Sequence, residues 1–194
     1  MDTKVIRSLT HSQAKDIYRQ YMTEDFPPAE LKPWLAIEKR LLAQKYVCLG
    51  LFEGEALRGY AYFARMNDKT GQAHYLFDYF AVLKPYRNLG WGSFFLRQMQ
   101  ENLPNAGRIL IEVENPDCAS DDAKRLIQEK RLRFYIKNGV TDTGVTAQVY
   151  GVEYRILAYS SGLSPRPEEV RSLYSAFYHS FFPPFLYKRK VLIR

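Results

Sequence analysis

The segment Arg87-Asn88-Leu89-Gly90-Trp91-Gly92 combines a basic residue with two closely spaced glycines. It follows the apolar stretch from Tyr75 to Val82 and precedes apolar residues at helical spacing. Glycine has no Cβ, so Gly90 and Gly92 let the backbone turn sharply and approach a ligand closely. Backbone N–H groups at the start of a helix bind anions, and the helix dipole favours negative charge there. The loop therefore predicts an anion site suited to a diphosphate.

The same loop also fits a tight strand-to-helix turn that binds nothing, and the glycines alone leave that alternative open. In a P-loop the last glycine is followed by lysine and then serine or threonine, whereas Ser93 and Phe94 follow Gly92 here. The third glycine of a dinucleotide-binding fingerprint is also missing. The glycines therefore indicate an anion without identifying it.

Three carboxylates fall on segments that we predict to be strands: Asp78, Glu112 and Glu114. A carboxylate beside a substrate can accept a proton from an amine or attract a cation. Glu112 and Glu114 are two residues apart, so they share one face of their strand. Such a pair can raise each other's pKa values. Salt bridges to arginines of the following helix explain the pair equally well, and these are Arg125, Arg131 and Arg133.

Asp78 is expected to face the same side of its strand as Leu76, Phe80 and Val82. From that side its carboxylate would contact a bound substrate. Because its neighbours are apolar, a structural hydrogen-bonding role is the alternative. The residue types therefore leave open which carboxylate, if any, acts as a base.

The spacing of apolar residues predicts the elements that hold these groups. A helix is expected after Ser12, ending at Phe26-Pro27-Pro28 because proline disfavours helical geometry, and a second helix begins at Pro33. Compact apolar runs predict strands, at 46–52, 57–65, 75–82, 109–113, 145–150 and 152–159. Apolar residues three or four apart predict further helices, one after the glycine loop, one over 121–137 and one over 168–182.

The composition sets limits on the class of protein. With 194 residues, of which 46% are hydrophobic, the chain has the size of one domain. Two cysteines, Cys48 and Cys118, and three scattered histidines argue against a disulfide framework or a zinc site. No segment approaches the roughly 18 apolar residues of a membrane span, and the N-terminus lacks an apolar signal region. We therefore expect a cytoplasmic protein with no metal and no membrane partner.

The net charge is +7, so anionic partners are electrostatically favoured. The positive charge is scattered, and its densest cluster, Lys188-Arg189-Lys190, lies in an aromatic-rich tail. We interpret this cluster as a solvated C-terminal end. That interpretation argues against nucleic acid as a partner.

Several segments together resemble the GNAT superfamily of N-acetyltransferases. These segments are Phe80-Ala81-Val82, Pro85-Tyr86-Arg87, the loop through Ser93, and Arg133-Phe134-Tyr135-Ile136-Lys137-Asn138-Gly139. Their order and spacing fit from about residue 3 to residue 159. The glycine loop resembles the coenzyme A motif of the superfamily, and the segment around Tyr135 resembles the end of its later cofactor-facing helix. Val140 departs from the phenylalanine that usually follows this segment.

The resemblance implies an α/β (α+β) fold with a mixed, mostly antiparallel sheet of six to seven strands. The sheet would be splayed between the strands at 75–82 and 109–113, with helices on both faces and an extra C-terminal helix. We expect residues 1–163 to form the acetyltransferase domain. Residues 164–194 are too few to fold alone, so we expect them to pack as part of the same domain.

The resemblance also implies acetyl-coenzyme A as co-substrate. Backbone groups of Phe80 and Val82, with Ala81 between them, would pair with the pantetheine amides. The diphosphate would bind the loop, whose residues are Arg87, Asn88, Leu89, Gly90, Trp91, Gly92 and Ser93. Gln128 stands where many members have asparagine, so it would keep an amide contact to the cofactor. Arg131 replaces a small residue of the family pattern, which puts the placement of this helix in question.

Tyr135 stands where many family members place their acid, and its phenol would protonate the departing thiolate. A core aromatic at a helix end is the alternative interpretation. The attacking amine must be neutral, so a base is also needed, and the candidates are Asp78, Glu112 and Glu114.

The sequence therefore predicts an N-acetyltransferase that moves an acetyl group by direct transfer from acetyl-coenzyme A to a primary amine. The amine would belong to a small molecule or a peptide. A non-catalytic acyl-coenzyme A sensor or interaction module of the same fold is the alternative. The acceptor is not identified, and a homodimer is left open.

Overall fold

The computed structural model describes residues 3–28, 30–159 and 165–194. Within these ranges the chain combines eight mostly antiparallel strands with helices, so the predicted mixed α/β fold class is confirmed, with one strand more than expected. The chain forms two compact units, residues 1–73 with 77–106 and residues 74–76 with 107–194. The expected boundary between residues 163 and 164 lies outside the described residues.

Four strands of the first unit lie side by side in sequence order, namely β1 (Lys4–Ser8), β2 (Tyr46–Glu53), β3 (Ala56–Asn67) and β4 (Ala73–Val82). β2 pairs antiparallel with both β1 and β3, with Leu51 opposite Ile6 and Leu49 opposite Ala61. β1 is not among the sequence-predicted strands, because five residues with one buried side chain give little periodic signal.

The helices of the first unit are α1 (His11–Ile17), α2 (Thr23–Asp25), α3 (Trp34–Leu42) and α4 (Trp91–Gln98). Most of them begin and end close to the residues that the sequence predicts. Thr10 caps α1 in a reciprocal capping box with Gln13. A π-helical segment, Tyr18–Met22, joins α1 to α2. The helical run ends at Phe26, whose backbone is extended, as the following prolines predict.

Consecutive side chains of β3 point to opposite faces of the strand and so locate the helices. The Tyr62 hydroxyl donates to the carbonyl of Ala14 in α1 at 2.6 Å. The Phe63 ring stacks on Phe77 at 4.6 Å, and Phe77 contacts Phe95 of α4 at 6.2 Å. In this unit α1 and α4 therefore cover opposite faces, as expected for helices on both sides of a sheet.

The second unit contains strands in the order β5-β7-β6-β8, with β5 (Ala106–Glu114), β6 (Thr141–Val149), β7 (Val152–Tyr159) and β8 (Val191–Ile193). β7 pairs antiparallel with β5 and β6, and β6 pairs antiparallel with β8. Its helices are α5 (Asp122–Lys137), α6 (Pro167–Phe181) and α7 (Pro184–Lys190). α5 ends at Asn138, and Gly139 follows with φ of +86°, as its Asn-Gly signal predicts.

The end of the chain is structured, and Lys188 and Arg189 are exposed, in line with the interpretation of Lys188-Arg189-Lys190 as solvated. These residues end α7, and the chain then continues into β8. Thr146 and Arg194 exchange backbone hydrogen bonds of 3.2 and 2.8 Å. A strand of three residues is too short to show a period of two, so the sequence could not predict it.

None of the helices in the described ranges is long and apolar enough to cross a bilayer.

Candidate functional site

The glycine loop takes its shape from two residues with positive φ. Asn88 has φ of +63° and Gly90 has φ of +80°. The left-handed conformation of Gly90 strains any residue with a Cβ, although no described heavy atom lies within 4 Å of the place where a Cβ would be. α4 starts directly after it, and Phe94 donates to the Gly90 carbonyl at 2.9 Å. The turn therefore needs glycine for its backbone conformation.

The backbone N–H groups from Asn88 to Ser93 donate no hydrogen bond to any residue that the structure describes. The first turn of a helix always leaves such donors, and here the preceding loop adds more of them. Asn88, Leu89 and Gly90 are exposed. The loop thus presents a row of unpaired donors at the positive end of α4, which is the arrangement that binds phosphate groups.

Arg87 holds the loop in place from within the same unit. Its Nε donates to the Val82 carbonyl at 2.9 Å, and its Nη2 donates to Asp25 Oδ1 at 3.0 Å. Asp25 also accepts from the hydroxyl of Tyr60 at 2.8 Å. Burial raises the pKa of Tyr60, so it remains a donor. The Arg87 side chain therefore ties the loop to the end of α2, whereas the sequence assigned it to the cofactor.

Phe80 connects β4 to α4 through its ring. It stacks on Phe95 at 5.1 Å and contacts Phe77 at 5.3 Å. Phe77 and Phe80 thus meet the same helix although they are three residues apart, so strict two-residue alternation is interrupted between them. The expectation that Asp78 faces with Phe80 is therefore wrong, because it assumed unbroken alternation.

Asp78 lies in a polar cluster within the first unit. Its Oδ1 accepts from Lys32 Nζ at 2.5 Å, and its Oδ2 accepts from the Tyr46 hydroxyl. The Asp78 side chain is 6% exposed. Burial, and then the charge of Asp78, raise the pKa of Tyr46 well above its ordinary value. The structure gives Asp78 the hydrogen bonds that the structural alternative required.

The two carboxylates of β5 have different partners. Glu112 Oε1 accepts from the hydroxyls of both Tyr174 and Tyr178 of α6, the latter at 2.5 Å. Glu114 receives a longer bond of 3.3 Å from Gln128 Nε2 and an ion pair of 3.6 Å from Arg131. Glu112 is therefore held by two tyrosines of α6. Glu114 is held by longer contacts, and its side chain is 32% exposed.

The two tyrosines on Glu112 were missed by sequence reasoning. The only signal was that Tyr174 and Tyr178 are four residues apart on an amphipathic helix, which places them on one face. Buried tyrosine hydroxyls usually find a partner. The identity of that partner, 62 residues away from Tyr174 along the chain, is not readable from the spacing.

Gln128 and Tyr135 are the two buried side chains of α5. They are seven residues apart, close to two helical turns, so they share one face. Gln128 Oε1 is buried and has no hydrogen-bond partner among the described residues. Burial raises the pKa of Tyr135 to about 12, so the phenol keeps its proton at neutral pH. No described group hydrogen-bonds the Tyr135 hydroxyl.

In the ranges that the structure describes, no three His, Cys, Asp or Glu side chains are grouped so as to hold a metal ion. The histidines have other contacts. His11 pairs with Glu38 at 2.8 Å, His74 Nδ1 accepts from the Arg108 amide at 3.1 Å, and His179 stacks on Tyr187.

The family model described as the Acetyltransferase (GNAT) family matches residues 12–127 of the chain. This stretch exceeds half of the 194 residues and contains the glycine loop. The chain belongs to the GNAT acetyltransferase family. A comparison with curated protein sequences finds no match.

Solved structures of GNAT acetyltransferases share the fold. A GNAT-family protein of Bacteroides thetaiotaomicron is 18% identical, with a TM-score of 0.65 over 86% of this chain and 92% of that one. Naa50 of Arabidopsis thaliana, solved with the bisubstrate analogue CoA-Ac-MVNAL, is 15% identical, with a TM-score of 0.58 over 81% and 99%. Spermidine N-acetyltransferase of Vibrio cholerae, solved with CoA and spermine, is 10% identical, with a TM-score of 0.57 over 81% and 95%.

The residues of this GNAT acetyltransferase fit coenzyme A on two counts. The unpaired amides from Asn88 to Ser93 suit a diphosphate. The buried Gln128 Oε1 has no donor in the described chain, and a buried acceptor is costly to leave unpaired. An amide N–H of a pantetheine arm is a donor of the kind that this oxygen lacks.

Proposed function

We propose that the protein is an N-acetyltransferase that moves an acetyl group by direct transfer from acetyl-coenzyme A to a primary amine of a small molecule or peptide. The observation that carries the proposal is the row of unpaired amides from Asn88 to Ser93 at the start of α4. Membership of the GNAT acetyltransferase family supports the reaction class. One structural neighbour is a spermidine N-acetyltransferase solved with CoA and spermine, and another, Naa50, was solved with the bisubstrate analogue CoA-Ac-MVNAL, which supports an amine as the acceptor.

Acetyl-coenzyme A supplies an activated acetyl group as a thioester. The backbone N–H groups of the loop would hold the diphosphate, and the end of β4, Phe80, Ala81 and Val82, would pair with the pantetheine. Gln128 would accept a hydrogen bond from a cofactor amide.

The transfer needs an acid and a neutral amine. The nitrogen of the amine would bond to the acetyl carbon and pass its proton to the base, while the carbon–sulfur bond breaks and Tyr135 would donate a proton to the departing sulfur. Because the pKa of Tyr135 is raised to about 12, its proton is present throughout the physiological range. We assign the base to Glu114, because its contacts with Gln128 and Arg131, at 3.3 and 3.6 Å, are longer than those that hold Asp78 and Glu112.

Calorimetry with coenzyme A and acetyl-coenzyme A, followed by thiol release with a panel of primary amines, tests the proposal. We expect saturable binding of both ligands and thiol release that depends on the amine. Protein that binds neither ligand would disprove the assignment of the loop. Tight binding without thiol release for any amine would favour the non-catalytic sensor.

A further inference from the structure

Four side chains of the first unit form a cluster around one ammonium group. Asp78 supplies a buried carboxylate, Tyr46 donates to its Oδ2, and Lys32 Nζ donates to its Oδ1 at 2.5 Å. The Lys32 ammonium also lies 5.3 Å from the centre of the Tyr79 ring. A carboxylate next to an aromatic face is a favourable environment for an alkylammonium group. In this structure the alkylammonium is that of Lys32.

Lys32 differs from the rest of this site in its origin and exposure. Tyr46 lies on β2, and Asp78 and Tyr79 lie on β4. Tyr46 and Tyr79 are buried, and so is the side chain of Asp78. The Lys32 side chain comes from the segment between α2 and α3 and is 33% exposed. The fixed part of the site is therefore built into strands, and its cation enters from the surface.

The main chain of Lys32 has hydrogen bonds of its own, separate from the contact between its side chain and Asp78. Its amide donates to the Tyr79 hydroxyl at 2.8 Å, and its carbonyl accepts from Tyr18 at 3.0 Å. These bonds hold the main chain only. The Arg40 guanidinium also interacts electrostatically with Asp78. One cation would therefore remain near the carboxylate when the Lys32 ammonium moves out.

The site lies on the strand that leads into the glycine loop. Asp78 is four residues before the end of β4 at Val82, a separation of about 13 Å along an extended strand. With the diphosphate at the loop, the pantetheine arm carries the thioester away from it. Groups that recognise the acceptor are therefore expected toward the earlier residues of β4, where Asp78 lies.

We propose that Asp78, Tyr46 and the ring of Tyr79 bind a second, non-reacting cationic group of the acceptor, and that Lys32 fills this site when the acceptor is absent. The proposal rests on the proposed function. An ammonium held against a buried carboxylate stays protonated, and a protonated nitrogen has no lone pair to attack a thioester. The bound cation is therefore not the reacting nitrogen. The substrate class is an amine that carries another basic group.

Calorimetry with 1,4-diaminobutane as the probe tests the site directly. Lys32→Met removes the competing charge and keeps most of the aliphatic stem, so we expect this variant to bind the diamine about tenfold more tightly than the unaltered protein. Lys32→Gln gives the same comparison if Lys32→Met does not fold. Lys15→Met is the matched control, because it removes a charge from an ion pair of 4.0 Å with Glu38, and we expect no change.

Asp78→Asn combined with Lys32→Met should remove the gain in affinity, since the neutral amide no longer attracts the cation. Equal or weaker binding of the diamine by both Lys32 variants would overturn the proposal and leave Lys32–Asp78 as a structural ion pair. The same result would follow if the gain persisted without the Asp78 charge.

Steady-state kinetics separates recognition from a merely structural effect. We expect Lys32→Met to lower the KM for 1,4-diaminobutane, with kcat within about twofold, and to leave the KM for n-butylamine unchanged. Equal shifts for both amines would contradict the proposal. The titrations are run with and without coenzyme A. A failure of the proposed function then appears as absent coenzyme A binding or thiol release, whereas a failure of this site appears in diamine affinity.

Discussion

The glycine loop and strand β5 differ in which part of the chain carries their chemistry. The loop offers main-chain N–H groups that have no partner in the described ranges, and its shape depends on a backbone angle of Gly90. β5 offers carboxylates, and each of them is already paired to a helix that follows later in the sequence. A main-chain site is defined by local sequence. A side-chain site is defined by whatever the fold brings beside it.

The largest effect is expected from a side chain outside the loop. Tyr135→Phe removes the proposed acid, so kcat should fall by about 100-fold or more, with the Kd of coenzyme A changed little. Because the pKa of Tyr135 is about 12, the unaltered protein should show no loss of rate from this group between pH 7 and about pH 10. Steady-state kinetics across this pH range, with calorimetry for the cofactor, makes the measurement.

Tyr187→Phe is the control for Tyr135→Phe, because the Tyr187 hydroxyl bonds to Ser175 of α6 and we give it no role in the reaction. Unchanged kcat in Tyr135→Phe would return Tyr135 to the interpretation of a core aromatic.

The next effect tests the main-chain site. Gly90→Ala forces a Cβ into the left-handed region, so the loop should relax and lose donors to the diphosphate. One charge-assisted hydrogen bond contributes about 1.5–3 kcal/mol, so the Kd of coenzyme A should rise by about 10- to 100-fold. Isothermal calorimetry measures the change.

Gly71→Ala is matched to Gly90→Ala in backbone strain. Gly71 has φ of +86°, and no described heavy atom lies within 4 Å of a Cβ placed there. Both variants should lose similar stability in thermal unfolding, and only Gly90→Ala should lose cofactor affinity. Equal affinity in the two variants would mean that the loop does not bind the diphosphate.

The smallest effect concerns Glu112. Tyr174→Phe removes one of two hydroxyls from a part-buried carboxylate, so the free energy of unfolding should fall by about 1–2 kcal/mol, with kcat unchanged. Tyr187→Phe on α7 loses a neutral hydrogen bond to Ser175 of α6 and should cost about 1 kcal/mol or less. Chemical denaturation measures both. A fall in kcat at unchanged stability would instead give Glu112 a part in the reaction.

Local signals predicted the glycine loop and the end of α5, because glycine and asparagine impose backbone conformations on their immediate neighbours. The family resemblance supplied the reaction class for the same reason, since its main motif is a backbone motif.

The side-chain partners were not predictable in the same way. Lys32 is 46 residues from Asp78, and Arg87 is 62 residues from Asp25. No spacing rule relates such pairs. The alternation of side chains between the two faces of β4 is also interrupted between Phe77 and Phe80, so Asp78 lies on the face opposite to the predicted one. A single change of phase in one strand was enough to turn Asp78 to the opposite face, where Lys32 and Tyr46 bind its carboxylate.

The carboxylate of Asp25 joins two segments that the proposed reaction uses for different substrates. It accepts a hydrogen bond from Arg87 of the glycine loop, and Asp25 is the last residue of α2, which precedes the segment with Lys32. If cofactor binding shifts this ion pair, the acceptor segment shifts with it, and the two affinities become coupled. Thermodynamic linkage makes such coupling reciprocal: any factor by which coenzyme A strengthens acceptor binding is the factor by which the acceptor strengthens coenzyme A binding. Coupling through Asp25 would therefore appear equally in both affinities, whichever substrate binds first.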